Sequence, residues 1–283
     1  MKGGIIAIIV CFTLVLTAGC ATTRIQVFQP VYTEEGELIP QIKIEPPGKE
    51  FPTGEKLVYG VSYLGVKVGE VVLWIKELPG ENNHQEYHFV LTARTNKIFS
   101  TIYRVDDELY SFVEKNGFLP RRFERHLQHR RRYTRLIVDF DQENGQVNYF
   151  SGTDTWSRKV EGKPQDPLSA LYYFRSHEMA VGETISYQVS TGKNHYQLEA
   201  QILNAGRLTL PQLGTYSAVL VEPTARENGV MIQEGRAWFW ISADSRRIPL
   251  VGKLKAFALG TIIARLERIE EQLGDNGEVE SRE

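Results

Sequence analysis

DPLSALYYFR, Asp166–Arg175, decides the fold, because it is the one stretch that reads as a helix in a chain of strand patterns. Asp166 can cap it by accepting a bond from an orphan backbone N–H. Pro167 suits the first turn, where a missing N–H costs nothing. Leu168, Leu171 and Tyr172 recur at i, i+3 and i+4, and Ala170, Tyr173 and Phe174 fill most of what remains. A helix apolar on nearly all sides is normally buried. The expectation is a short helix plugging or bracing a sheet whose strands come before and after it.

Outward from the helix, the texture is period two. Leu57, Tyr59, Val61 and Tyr63 alternate with Val58, Gly60 and Ser62, and Val71, Leu73 and Ile75 alternate again. Strict alternation puts one face of a strand inside and the other outside. Further strands are predicted at Tyr87–Asn96, Asp107–Lys115, Phe118–Gln128, Arg130–Phe140 and Gln146–Ser151. After the helix they follow at Thr184–Ser190, Tyr196–Leu203, Tyr216–Glu222, Arg236–Ser242, Ile248–Phe257 and Thr261–Ile269. Asn116-Gly117, Glu143-Asn144-Gly145, Lys193-Asn194 and Asn228-Gly229 are turn signals between them. No strand–helix alternation supports a parallel doubly wound sheet. So long a series of antiparallel strands should curl or close. The predicted class is mainly β, an antiparallel meander forming a curved sheet, half-barrel or closed barrel with one short buried helix.

The first residues speak to location. Lys2 gives a positive start, and Ile5–Leu16 is an apolar run too short to span a bilayer comfortably. Thr17-Ala18-Gly19-Cys20 follows it, and LTAGC resembles a bacterial lipoprotein lipobox, with Thr17 where Leu is commonest. That resemblance implies cleavage before Cys20 and a diacylglycerol on its sulfur. An ordinary signal with a coincidental cysteine is the alternative. Of the two cysteines, Cys11 would leave with the signal, so Cys20 would be the lone thiol, and no disulfide is predicted. The formal charge is −2, and removing residues 1–19 takes away Lys2, making the chain one unit more negative. Neither value suits a general nucleic-acid binder. Ala21, rather than Asp, implies the outer membrane facing the periplasm in a cell that sorts by this position. Residues 20–52 are punctuated by Pro30, Pro40, Pro46, Pro47 and Pro52 and read as a tether with a reach of roughly 100 Å at full stretch. An edge strand at Arg24–Val31 or Leu38–Ile44 is the other reading. Residues 53–273 are then the β domain, and 274–283 a disordered acidic tail.

Three stretches in order carry a wider resemblance. GEKLVYGVSYLGVKVGEVVLWIK (54–76), QDPLSALYYFR (165–175) and GRAWFWISADSRRIPLVGKLK (235–255) resemble the opening, middle and closing signatures of the domain of unknown function 3108 family. The resemblance spans roughly Phe51 to Leu273. It implies an exported or envelope protein with a curved, mostly antiparallel β fold of barrel or half-barrel type. It implies no activity and supplies no catalytic residue.

Candidate sites are few. Arg121, Arg122, Arg125, Arg130, Arg131, Arg132 and Arg135 crowd one stretch. Arg presents a planar fork for phosphate or carboxylate. If no bulge intervenes, Arg125, Arg131 and Arg135 share a face with Phe123, Leu127 and Tyr133, an arrangement that would hold an anionic headgroup against an apolar wall. The alternative is a solvated hairpin whose arginines pair with neighbouring acids. Trp238 and Trp240 face one way on their strand and Phe239 the other. With Tyr172 they are a candidate apolar or stacking surface, or else core.

Other chemistry is thinly represented. His126 and His129 would point to opposite faces, and His84 and His88 sit where a loop enters a strand, so no metal site is predicted. There is no G-x-S-x-G elbow and no phosphate-binding glycine loop. Asp106-Asp107-Glu108 and the Asp139/Asp141 pair read as turn and strand-end solvation, with glycosidase-type carboxylates as the alternative, since their separation in space is not encoded in the spacing. The function expected is a non-enzymatic cell-envelope lipoprotein, without cofactor, binding or presenting an envelope lipid or polysaccharide. A scaffold subunit that meets an envelope protein partner is the alternative, and a hydrolase the third.

Overall fold

Val105–Glu114 alternates buried and half-buried positions without a break, so one face of that strand looks into the molecule and the other out. The same rule shapes the whole chain. A computed structural model describes residues 42–79, 85–232, 235–256 and 260–271. The signal, Cys20, the tether as far as residue 41, His84 and the acidic tail lie outside the described residues.

The strands are β1 (Glu55–Tyr63), β2 (Val66–Pro79), β3 (Gln85–Thr95), β4 (Val105–Glu114), β5 (Leu119–His129), β6 (Arg132–Asp141), β7 (Gln146–Ser151) and β8 (Asp154–Lys159), with a short helix α1 (Lys97–Ile102) between β3 and β4. After helix α2 (Ser169–Arg175) come β9 (Thr184–Ser190), β10 (His195–Leu210), β11 (Gly214–Glu227), β12 (Val230–Met231), β13 (Gly235–Ser242), β14 (Pro249–Ala256) and β15 (Gly260–Glu271). They form one 15-stranded sheet in the order β8-β7-β6-β5-β4-β3-β2-β1-β15-β14-β13-β11-β10-β9, with β12 on β11. The named strands pair antiparallel throughout, and Lys56 of β1 stands opposite Glu270 of β15, their side chains 2.8 Å apart. The protein is mainly β, and the sheet is open, because β8 and β9 remain edges.

The two edges approach without pairing. Gln165, between β8 and α2, fills part of the gap. Its N–H donates to the Gln188 carbonyl at 2.8 Å, and its carbonyl accepts from Ser190 N–H at 2.8 Å. Its Nε2 reaches across to the Phe118 carbonyl at 3.1 Å. Gly192, just after β9, lies so close to β6 and β7 that a Cβ there would sit 2.7 Å from both Val138 and Tyr149. Its φ of 84° also favours glycine. The sheet is thus a split barrel laced along one seam.

Helix α2 lies inside the curve. The Asp166 carboxylate caps it, one turn ahead of Ser169, accepting from Leu168 N–H at 2.7 Å and Ser169 N–H at 2.9 Å. Tyr172 is buried, stacked on Phe89 with centroids 3.7 Å apart and edge-on to Phe51 at 5.5 Å. At the C-terminal end Arg175 forms a fully buried pair with Glu55 at 2.8 Å and donates to the Arg246 carbonyl at 3.0 Å. Arg246 meets the other Glu55 oxygen at 3.2 Å. Removing one member of such a pair leaves an uncompensated buried charge.

The Pro-rich segment expected to be a free tether up to Pro52 is docked from residue 42 onward. Ile44 packs beside Phe174 and Ile241, and Phe51 enters the ring cluster around Tyr172. The Glu45 and Gly48 N–H groups bond to the carbonyls of Ala243 and Ser245, and the Arg247 guanidinium donates to the Glu45 carbonyl. Two apolar side chains and a complementary turn hold a segment whose prolines had suggested freedom.

Candidate functional site

Period two sends Tyr59 and Val61 of β1, Leu91 and Ala93 of β3, Phe239 and Ile241 of β13, and Ile262 and Ala264 of β15 to the same inner face. Pro167, just before α2, and Ala170, Leu171 and Phe174 of α2 face them. Between the two lies a cavity of about 280 Å³. Its walls are almost wholly apolar. Tyr59, Tyr187, Thr191 and Lys253 are the exceptions. Tyr59 donates its hydroxyl to the Pro249 carbonyl at 2.7 Å and Tyr187 to the Ala170 carbonyl at 3.1 Å, so neither faces the space with a free donor. Burial raises both phenols well above their ordinary value, which keeps them neutral. Thr191 exchanges bonds with Asn194. The Lys253 ammonium lies 5.5 Å from the Trp238 ring. These walls offer a bound molecule dispersion contacts and exclusion of water, the usual character of a site for an apolar ligand.

The arginines resolve differently from expectation. Arg125 stands opposite Leu109 and Leu136, so it lies on the inner face with Phe123. It is half-buried, and burial lowers its guanidinium pKa, with Tyr149 and Asp107 opposing. Arg135 stands opposite His126 on the outer face and pairs with Glu124 at 3.1 Å. Arg131 is exposed in the two-residue turn between β5 and β6. The three therefore do not share a face. A shared face would require β5 and β6 to be one unbroken strand, whereas they pair as a hairpin. In the hairpin, odd residues of one strand face even residues of the other. Arg121 and Arg122 are paired, with Glu86 at 2.9 Å and with Glu124 at 2.7 Å, as the solvated-hairpin alternative holds. His126 and His129 do lie on opposite faces. His129 bonds to the buried Asp107 at 2.8 Å, which raises the His129 pKa against the opposing effect of burial.

The aromatic candidates also separate. Trp238 and Trp240 face away from Phe239, as alternation requires, but it is Phe239 that lines the cavity. Trp240 is core, in the cluster with Leu208 and Val251. Tyr172 is core too, because α2 turns it onto Phe89. Neither can offer a stacking surface. Trp238 alone is half-exposed, with Arg236 over its ring at 4.7 Å. The cavity wall escaped the sequence reading because its residues are ordinary apolar ones from many strands, and only the order of those strands brings them together.

Comparison with solved structures places the architecture. A β-barrel-like protein of domain of unknown function DUF1849 from Brucella abortus superposes with a TM-score of 0.53 at 8% identity, over 78% of this chain and 99% of that one. An exported-protein candidate with a YmcC-like fold from Bacteroides fragilis gives 0.36 at 11% identity, over 78% of this chain and 98% of its own. A lipoprotein candidate from Parabacteroides distasonis gives 0.36 at 11%, over 80% and 100%. At these identities the first likeness speaks for the fold alone. No curated protein matches the chain. The model of the family described as "Protein of unknown function (DUF3108)" matches residues 58–267, which contain α2, the cavity and all of the sheet but the outer ends of β1 and β15, and the chain belongs to that family.

Proposed function

We propose that the protein is a non-enzymatic envelope lipoprotein that holds the apolar chain of an envelope lipid in the cavity beneath α2. In this reading acylated Cys20 fastens it to the outer membrane on the periplasmic side. The observation that carries the proposal is the apolar wall, with its two phenols occupied by backbone carbonyls. Such a wall suits an acyl chain and suits a glycan poorly, because a sugar's hydroxyls would be buried without partners. It also lacks a paired nucleophile and base, which a hydrolase needs in reach of its substrate.

Native mass spectrometry of the protein taken from its own envelope fraction tests this. The expected spectrum carries an adduct with the mass of a lipid or fatty acid. Ala264→Phe, which adds a ring inside the cavity, should remove that adduct while the protein still melts cooperatively. A bare mass in both forms would turn the reading to the scaffold alternative.

A further inference from the structure

Among the described residues, six of the nine exposed large apolar side chains stand on one end of the sheet: Leu64, Val66, Ile98, Ile102, Val230 and Met231. Scattered singly they would need no explanation, but gathered on one rim they mark a surface that meets something apolar. Leu64 is the first residue of the β1–β2 turn and Val66 follows it, Ile98 and Ile102 belong to α1, and Val230 and Met231 are β12. Ile98 is 74% exposed. Leu64 and Gly65 both have positive φ, 48° and 84°, in a two-residue hairpin. Asparagine is the ordinary first residue of such a turn. A leucine there carries a backbone cost while 43% of it stays exposed.

The same rim is basic. Arg130, Arg131 and Arg132 shape the β5–β6 turn. Arg130 N–H donates to the Arg104 carbonyl at 2.9 Å and its guanidinium lies over Tyr103 at 4.8 Å, which fastens this turn to the end of α1. Lys67 and Arg104 are paired with Glu267 and Asp106. Among the described residues Lys97, Arg131 and Arg132 have no ion pair. The cavity comes up to this end. Val61, Val71, Ile262 and Ala264 line it and also belong to the cluster that holds Phe99 of α1. Toward its other end it is lined by Tyr59, whose hydroxyl bonds to the Pro249 carbonyl.

We propose that this rim docks onto an anionic bilayer. Leu64, Val66, Ile98 and Ile102 enter the boundary of the acyl layer, Lys97, Arg131 and Arg132 meet headgroup phosphates, and the cavity receives an acyl chain from the leaflet beneath. Apolar side chains mixed with unpaired cations are what an interfacial surface requires. The last clause rests on the lipid-carrier reading above; the docking itself does not. Chain length permits it. Residues 45–48 meet the fold at the β13–β14 turn, at the end opposite the rim. The residues between Cys20 and residue 42 reach roughly 70 Å at full stretch, whereas β1 is about 30 Å long. The rim can turn back onto the membrane that holds the anchor.

The test is flotation of the exported chain, in its Cys20→Ser form, with vesicles of phosphatidylethanolamine and phosphatidylglycerol, and with phosphatidylcholine vesicles for comparison. The chain should bind the anionic vesicles more tightly and lose binding as salt rises. Arg131→Gln and Arg132→Gln should each weaken binding about fivefold. Ile98→Asp with Ile102→Asp should abolish it. Leu64→Asn separates docking from damage to the fold. It should raise the melting temperature, because Asn suits the turn, and yet weaken vesicle binding by about tenfold or more. Absence of binding to anionic vesicles overturns the proposal, and so does undiminished binding by the double aspartate variant. Oleate binding, followed by native mass spectrometry on the same samples, reports on the cavity separately. A parent that floats but takes no oleate refutes the carrier reading and leaves the docking surface standing.

Discussion

His88 lies flat against Phe112 on the outer face of the sheet, with ring centroids 4.4 Å apart and 13° between planes. Both ring nitrogens are buried without a hydrogen-bond partner. Burial, and then the nearby Lys76 ammonium, push its pKa down to about 4, with Glu124 pulling weakly the other way. A depressed pKa means that the fold is built for neutral imidazole. The stability it contributes is present above the unfolded value near 6.5 and is lost as pH falls through about 4. Urea midpoints taken across that window should therefore drop toward acid, and His88→Phe should flatten the drop. An unchanged slope in the variant would place the acid sensitivity elsewhere. None of this could be read from the sequence, where His88 was one half of a histidine pair beside a loop. Its stack depends on β3 and β4 lying in register, His88 opposite Phe112.

Helix α2 was legible because its cap, its proline and its apolar periodicity are all local. Asp166 carries more than the cap, since its second carboxylate oxygen accepts from Ser111 Oγ at 2.5 Å. Burial raises its pKa to about 6 despite those bonds. For an acid with a raised pKa, the favourable contribution is full below about 3.8 and is lost as pH rises through 6. Asp166→Ala should cost about 1–2 kcal/mol in denaturant titrations. Asp166→Asn should recover part of that and gain on the parent as pH rises from 4 to 7. The reverse trend would mean that the carboxylate is held ionised by its donors. Three elements were not legible, the shortest being the two-residue β12. α1 is a six-residue helix with β-branched Ile98, Thr101 and Ile102, so propensity argues against it. What starts it is Asn96, whose side chain accepts from Phe99 N–H at 2.9 Å. β8 is an exposed edge with little apolar alternation to announce it.

At the scale of the molecule, alternation predicted the strands and their curvature, but not where the sheet would split. The order of strands is a set of non-local pairings that no local pattern encodes. The seam is where the difference shows. Gly192 sits against Val138 and Tyr149 with no room for a Cβ. Gly192→Ala should cost about 1–3 kcal/mol and should speed amide exchange in β8 and β9 more than in β1 and β15. Uniform exchange across the sheet would show that the seam is no weaker than the rest. The arginine stretch illustrates the same limit. Its residue types were visible, but the parity change at the β5–β6 turn divided them between an inner face, an outer face and a turn. The turn is the part that became the rim.

The pairing of β1 with β15 has a consequence for how the protein is made. The strand that opens the sheet has one of its two neighbours at the far end of the chain, Lys56 opposite Glu270. Residues 55 to 271 must all have been made before that ladder can form in full. Until then β1 and β14 each present an unsatisfied edge, the state in which chains pair wrongly with one another. Distant contacts also form slowly. The hairpins from β1 to β8 can form as they emerge, but the sheet takes its final order only when β15 seats between β1 and β14.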